Sequence, residues 1–133
     1  MKRTHFENLR VYQLSEKLAD EIWNITGSWD SFAKNTVGAQ IVRSADSIGA
    51  NIAEGSGRGS DTDYRRFLRI ARGSLYETRH WLRRAFKRQL LSKEQTDLLL
   101  PSIDELTPTL NAYLKSIGTF QVEPKPANKR PKT

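Results

Sequence analysis

Cysteine is absent from the 133 residues and methionine occurs once. Disulfides and thiolate metal sites are thereby excluded, and a reducing, cytoplasmic setting is expected. Long apolar runs are missing too. None approaches membrane-spanning length, and Met1-Lys2-Arg3 leads into polar residues without the apolar stretch of a signal peptide. No membrane partner is expected. Histidine is scarce: His5 and His80 stand outside any metal-ligand or triad spacing. Glu77 and His80 would share a helix face, but that pair reads as a surface contact. No catalytic residue, metal or cofactor is expected. Acidic residues are outnumbered, 15 against 22 basic ones, and no segment has the alternation of a strand.

The excess of cations gives a net charge of +7, which invites a polyanionic partner. Residues 119–133 hold Lys125, Lys129, Arg130 and Lys132 against Glu123, with Pro124, Pro126 and Pro131. This composition predicts a basic, disordered tail, serving solubility or weak nucleic-acid contact. Residues 1–118 then form one domain.

Helical periodicity organises that domain. Val11, Leu14, Leu18, Ile22 and Ile25 fall on one side of a helix from about Asn8 to Thr26, with Tyr12, Ala19 and Trp23 opposite. Tyr12 and Trp23 away from the core point to an oligomer contact. Trp29 and Phe32 are expected to fold back onto the core. A second helix, capped by Asn35 or Thr36, is predicted to run to Glu54 with Val37, Ile41, Ile48 and Ile52 buried. Beside that stripe stand Gln40, Ser44, Ser47 and Asn51, uncharged and three or four residues apart. Gly38, Ala39, Ala45, Gly49, Ala50 and Ala53 make the helix small on nearly every side. Close approach of other helices or subunits explains both features.

Gly55-Ser56-Gly57-Arg58-Gly59-Ser60 is a helix-to-helix corner. A phosphate-binding loop would follow a strand and carry a different spacing. Gly55 is expected to end one helix in left-handed backbone, and Ser60 to cap the next. That third helix, Asp61 to about Arg88, sets Tyr64, Phe67, Leu68, Ala71, Leu75, Thr78, Leu82, Ala85 and Phe86 on a broad apolar arc. Opposite lie Arg65, Arg69, Arg72, Arg79, Arg83 and Lys87, with Tyr76 among them, within roughly 80° of one another. Such a stripe suits a run of phosphates, with the tyrosine stacking on a base. A solvated face, paired with acids of another helix or subunit, explains it equally simply. Gly73-Ser74 interrupts the helical propensity and predicts a close contact.

The fourth helix begins with a Ser92–Gln95 capping box. Leu99, Ile103, Leu106, Leu110, Tyr113, Leu114 and Ile117 share one face, and Gly118 ends the helix. Pro101 and Pro108 predict a bend or break. Glu94, Asp97, Asp104 and Glu105 offer an acidic outer side that the arginines of the third helix can meet. Four helices with short connections imply an all-α, up-down-up-down antiparallel four-helix bundle.

Two segments carry a family resemblance. One is Arg43-Ser44 with Ser47-Ile48-Gly49-Ala50-Asn51-Ile52-Ala53-Glu54-Gly55-Ser56-Gly57-Arg58; the other is Phe67-Leu68-Arg69-Ile70-Ala71-Arg72-Gly73-Ser74-Leu75-Tyr76-Glu77. Together with Phe6-Glu7-Asn8-Leu9-Arg10-Val11-Tyr12, they resemble the four-helix bundle proteins of intervening sequences in bacterial 23S rRNA genes. The resemblance spans roughly residues 6–117. It implies a homopentamer without catalytic activity, related to retroelement accessory proteins that bind RNA and a reverse transcriptase. Many members have proline where Gly49 stands, so the second helix is expected to be less kinked here. The function expected is a non-catalytic, oligomeric accessory protein that associates with structured or ribosomal RNA through Arg65, Arg69, Arg72, Tyr76, Arg79, Arg83 and Lys87. Tyr12, Trp23, Gln40, Ser44, Ser47 and Asn51 are expected between subunits. The alternative is a protein-binding scaffold whose arginine face grips an acidic partner or a neighbouring subunit.

Overall fold

A short 3-10 turn, Phe6–Asn8, delivers Leu9 in extended backbone, and α1 follows as Arg10–Thr26. These come from a computed structural model describing residues 4–118; the basic segment 119–133 lies outside the described residues. Val11, Leu14, Leu18, Ile22 and Ile25 are buried as their spacing requires. The cap of the next helical stretch is Asp30, whose carboxylate accepts from Ala33 N, and not Asn35 or Thr36. A helical turn at Ser31–Ala33 and a wide turn at Lys34–Gly38 run straight into α2, Ala39–Ser56. Trp29 does pack against the core, although its indole N–H is buried without an acceptor among the described residues. Phe32 does not: it is 80% exposed on the outer side of that turn.

Ser60 caps α3, Asp61–Lys87, by accepting from Asp63 N at 3.1 Å. Gly55 is not the left-handed stop its position suggests. Among the described residues only Gly118 and Gln89 have positive φ. Gly55 stays helical because Tyr64 and Phe67 of α3 rest on it, leaving no room for a Cβ. Arg58 closes the corner, ion-paired with Glu54 and Asp63 and lying 5.0 Å from the Phe67 ring centroid.

The last helix, α4, spans Lys93–Ser116 behind a complete Ser92–Gln95 capping box. It runs unbroken through Pro101 and Pro108, so the break that the prolines could impose does not occur. The carbonyls deprived of a donor belong to Asp97 and Asp104, residues exposed along with both prolines, on a side of the helix where solvent can offer the missing hydrogen bond. Each helix packs on two others: α1 on α2 and α4, α3 on α2 and α4. The α2–α3 contact is the most extensive and the α3–α4 contact the least. The described residues thus form an all-helical bundle without strands, its core drawn from all four helices. No helix among them is long and apolar enough to cross a membrane.

The uncharged stripe of α2 lies inside this bundle. Ser44 is fully buried, its oxygen 3.0 Å from Thr78 Oγ1, while Ser47 and Ser74 hydroxyls lie 3.0 Å apart. Asn51 donates to Ser47 Oγ, and Thr78 back-bonds to the Ser74 carbonyl. The Ser44–Thr78 and Ser47–Ser74 contacts cross α2–α3 within one chain, and Ser44 is fully enclosed there, so its placement between subunits is corrected. Its hydroxyl had to be satisfied somewhere dry, and α3 supplies the partner. Gln40 is exposed and accepts from Arg43.

Candidate nucleic-acid interface

The arginines of α3 do not all face away from the core. Arg65 donates to the Ile117 carbonyl at 3.0 Å, capping the end of α4, and Arg72 donates to Asn111 Oδ1 at 3.1 Å. Both are half-buried. Beside them Tyr64 and Tyr113 hydroxyls lie 2.7 Å apart. Burial first, and then that hydrogen bond, pushes the Tyr64 hydroxyl above its ordinary range, so it stays neutral. The stripe therefore leans over the α3–α4 seam, and its amino-terminal part is occupied in holding the seam shut.

Farther along, the seam opens. Arg79, Arg83 and Lys87 there, like Arg69 back between Arg65 and Arg72, are exposed and make no ion pair among the described residues. Tyr76 is 51% exposed in their midst. Two of the four expected acidic partners are engaged elsewhere: Glu105 pairs with Arg10, and Asp97 with Lys93. Between the two helices lies a groove of about 440 Å³. Leu82, Phe86, Leu91, Leu99, Leu100 and Ile103 line it, with Arg79, Arg83 and Lys87 at the rim. Phe86, assigned to the buried arc, is 54% exposed here. A helical wheel foreshadows that: seven residues after Arg79, Phe86 falls only about 20° from it.

The opposite edge of the bundle, α1 against α2, carries the other sign. Tyr12, Ala19, Asp20, Asp46, Gly49 and Ala50 line a shallow concavity. Tyr12 is half-buried, its ring edge-on to Phe6, whereas Trp23 on the same helix is 64% exposed. Burial, and secondarily the Asp20 carboxylate, raises the Asp46 carboxyl above its ordinary 3.8. Between its unfolded and folded pKa values, the folded chain binds more protons than the unfolded one. Stability due to this group therefore falls as pH rises through that window, and the full penalty remains at neutral pH. Asp46→Asn should raise the neutral-pH Tm by on the order of 1 °C, the gain vanishing below the ordinary aspartate range; thermal melts at both pH values measure it.

Other chemistry is thinly represented. No group of three or more histidine, aspartate or glutamate side chains able to hold a metal occurs among the described residues. Glu77 turns to Arg43 and Trp81, not to His80, which stacks edge-on against Trp81.

No curated protein matches the chain. A crystal structure of a protein with unknown function, from the S23 ribosomal protein family of Bacteroides thetaiotaomicron, is similar at 29% identity and a TM-score of 0.70. The similarity covers 80% of this chain and 96% of that one. The family model described as 23S rRNA-intervening sequence protein matches residues 7–112. The chain therefore belongs to the 23S rRNA-intervening sequence protein family.

Proposed function

We propose that this protein is a non-catalytic, oligomeric accessory protein of the cytoplasm that associates with structured or ribosomal RNA along the α3–α4 seam. The observation that carries this reading is the row of cations, Arg69, Arg79, Arg83 and Lys87, that meet no carboxylate among the described residues, around exposed Tyr76. Cations without carboxylate partners keep their full attraction for phosphate, and RNA releases counterions on meeting them. In this reading the bundle is up-down-up-down, and copies assemble as a homopentamer, as the family resemblance implies. Exposed Trp23 and the concavity beside Tyr12 supply a surface for that assembly.

A second reading, a protein-binding scaffold, is favoured by the acidic α1–α2 edge: the arginine rim of one subunit would meet Asp20 and Asp46 of the next. One set of variants separates the two. Changing Arg69, Arg79, Arg83 and Lys87 together to glutamine should lower the affinity for a labelled hairpin RNA. It should also flatten the slope of log K against log salt by about 3, at ~0.7 per lost phosphate contact. Native mass spectrometry of the same variant should give an unchanged oligomer. Unaltered affinity and slope would remove the RNA reading, and loss of assembly would install the scaffold in its place.

A further inference from the structure

We propose that the open end of the α3–α4 seam is a pocket for an unpaired nucleotide, so that the protein selects single-stranded or looped RNA over duplex. This rests on the RNA reading above and adds a ligand class to it.

Three cations at the rim, and no carboxylate anywhere in the lining, select a ligand bearing negative charge. The floor asks for something else. Phe86 is 54% and Leu100 48% exposed, a hydrophobic surface that a string of phosphates cannot cover. Duplex RNA offers only phosphate, ribose hydroxyls and base edges to its surroundings, because its base faces are stacked on each other. An unstacked base brings a flat apolar face with a phosphate directly attached. The groove volume of about 440 Å³ lies within the range of small-ligand sites and accommodates a base with its ribose. Phe86 stands at the last turn of α3, three residues after Arg83 and seven after Arg79, which puts a stacking ring beside two phosphate-binding groups. Thr96 at the edge donates its hydroxyl proton to the Ser92 carbonyl, leaving its oxygen to accept from a base amino group.

An acidic amphipathic helix would satisfy the same groove. The cations favour the nucleic acid, because they continue past the groove to Arg69, about 27 Å of helix from Lys87 at 1.5 Å per residue. A flexible polyanion carries charge along that whole length, whereas a helix confined to the groove meets only Arg79, Arg83 and Lys87.

The test measures fluorescence anisotropy of two labelled RNAs, a hairpin with an unpaired loop and a fully paired duplex of equal length. Wild type should bind the hairpin at least about tenfold more tightly, the worth of one stacked base. Phe86→Ala should erase that preference and leave the salt slope unchanged, since no phosphate contact is lost. Phe86→Tyr, which keeps the ring, should bind like wild type. Equal binding of the two RNAs by wild type, or wild-type behaviour of Phe86→Ala, overturns the pocket while leaving RNA association through the cations intact. An absence of binding to either RNA overturns both. A changed oligomeric mass for Phe86→Ala in native mass spectrometry, or an acidic amphipathic peptide displacing no RNA yet seating in the groove, also overturns it.

Discussion

Gly55→Val should destabilise the fold by about 3 kcal/mol and lower Tm by roughly 10 °C. A Cβ built on Gly55 would sit 2.8 Å from Phe67 Cβ and 2.9 Å from Tyr64 Cδ1. The first of these is anchored next to the α3 backbone and cannot swing aside, so α3 itself must retreat from α2. That contact is the most extensive between any two helices, and its hydroxyl pairs, buried Ser44–Thr78 and part-buried Ser47–Ser74, tolerate little separation. Alanine at the same position gains up to about 1 kcal/mol in helix propensity, which offsets part of the overpacking. Gly55→Ala should therefore be milder than valine, yet still destabilising. Gly73 is the control. Nothing lies within 4 Å of a Cβ there, so Gly73→Ala should stabilise by about 1 kcal/mol. Denaturant titration followed by circular dichroism measures all three. A Gly55→Val chain as stable as wild type would mean that α2 and α3 do not touch at this glycine.

That pair of glycines marks the limit of what the sequence discloses. Periodicity alone locates the helices and the core, because burial repeats every three or four residues whatever the helix packs on. Leu14, Leu18, Ile48, Leu68 and Leu106 are all buried as their spacing implies. Glycine carries no such record. Gly55 reads as a stop and is a contact; Gly73 reads as a contact and is open. The same limit applies to the arginines. Their common helix face is legible, but the neighbour over which that face leans is not. Only the fold reveals that Arg65 and Arg72 donate to the α4 side, and that Arg79, Arg83 and Lys87 border the groove between α3 and α4. The groove belongs to two helices at once, and no single-helix pattern describes it. Even so, the small angle between Phe86 and Arg79 is available from numbering alone.

Leu106→Ala should cost about 2–5 kcal/mol, the other large effect expected in this molecule. The reason lies in what α4 lacks. Proline in a helix interior is unfavourable by about 3 kcal/mol relative to alanine, and α4 contains two. Its own propensity thus opposes it, and tertiary burial must hold it continuous. Leu99, Ile103, Leu106, Leu110 and Leu114 provide that burial, and Leu106 and Leu110 are fully enclosed. Truncating Leu106 removes transfer free energy and leaves a cavity walled by the other helices, which cannot collapse independently into it. Pro108→Ala works in the opposite direction. It restores an N–H facing the Asp104 carbonyl on the exposed side and should stabilise by about 1 kcal/mol, since the more flexible unfolded chain offsets part of the gain. Combined in one chain, the two changes should nearly add if α4 is held by burial along its whole length. If Pro108→Ala instead rescued Leu106→Ala completely, helix propensity would be the limiting factor, and burial could not be what keeps α4 continuous. Urea unfolding of the wild type, the two single variants and the double variant decides between them.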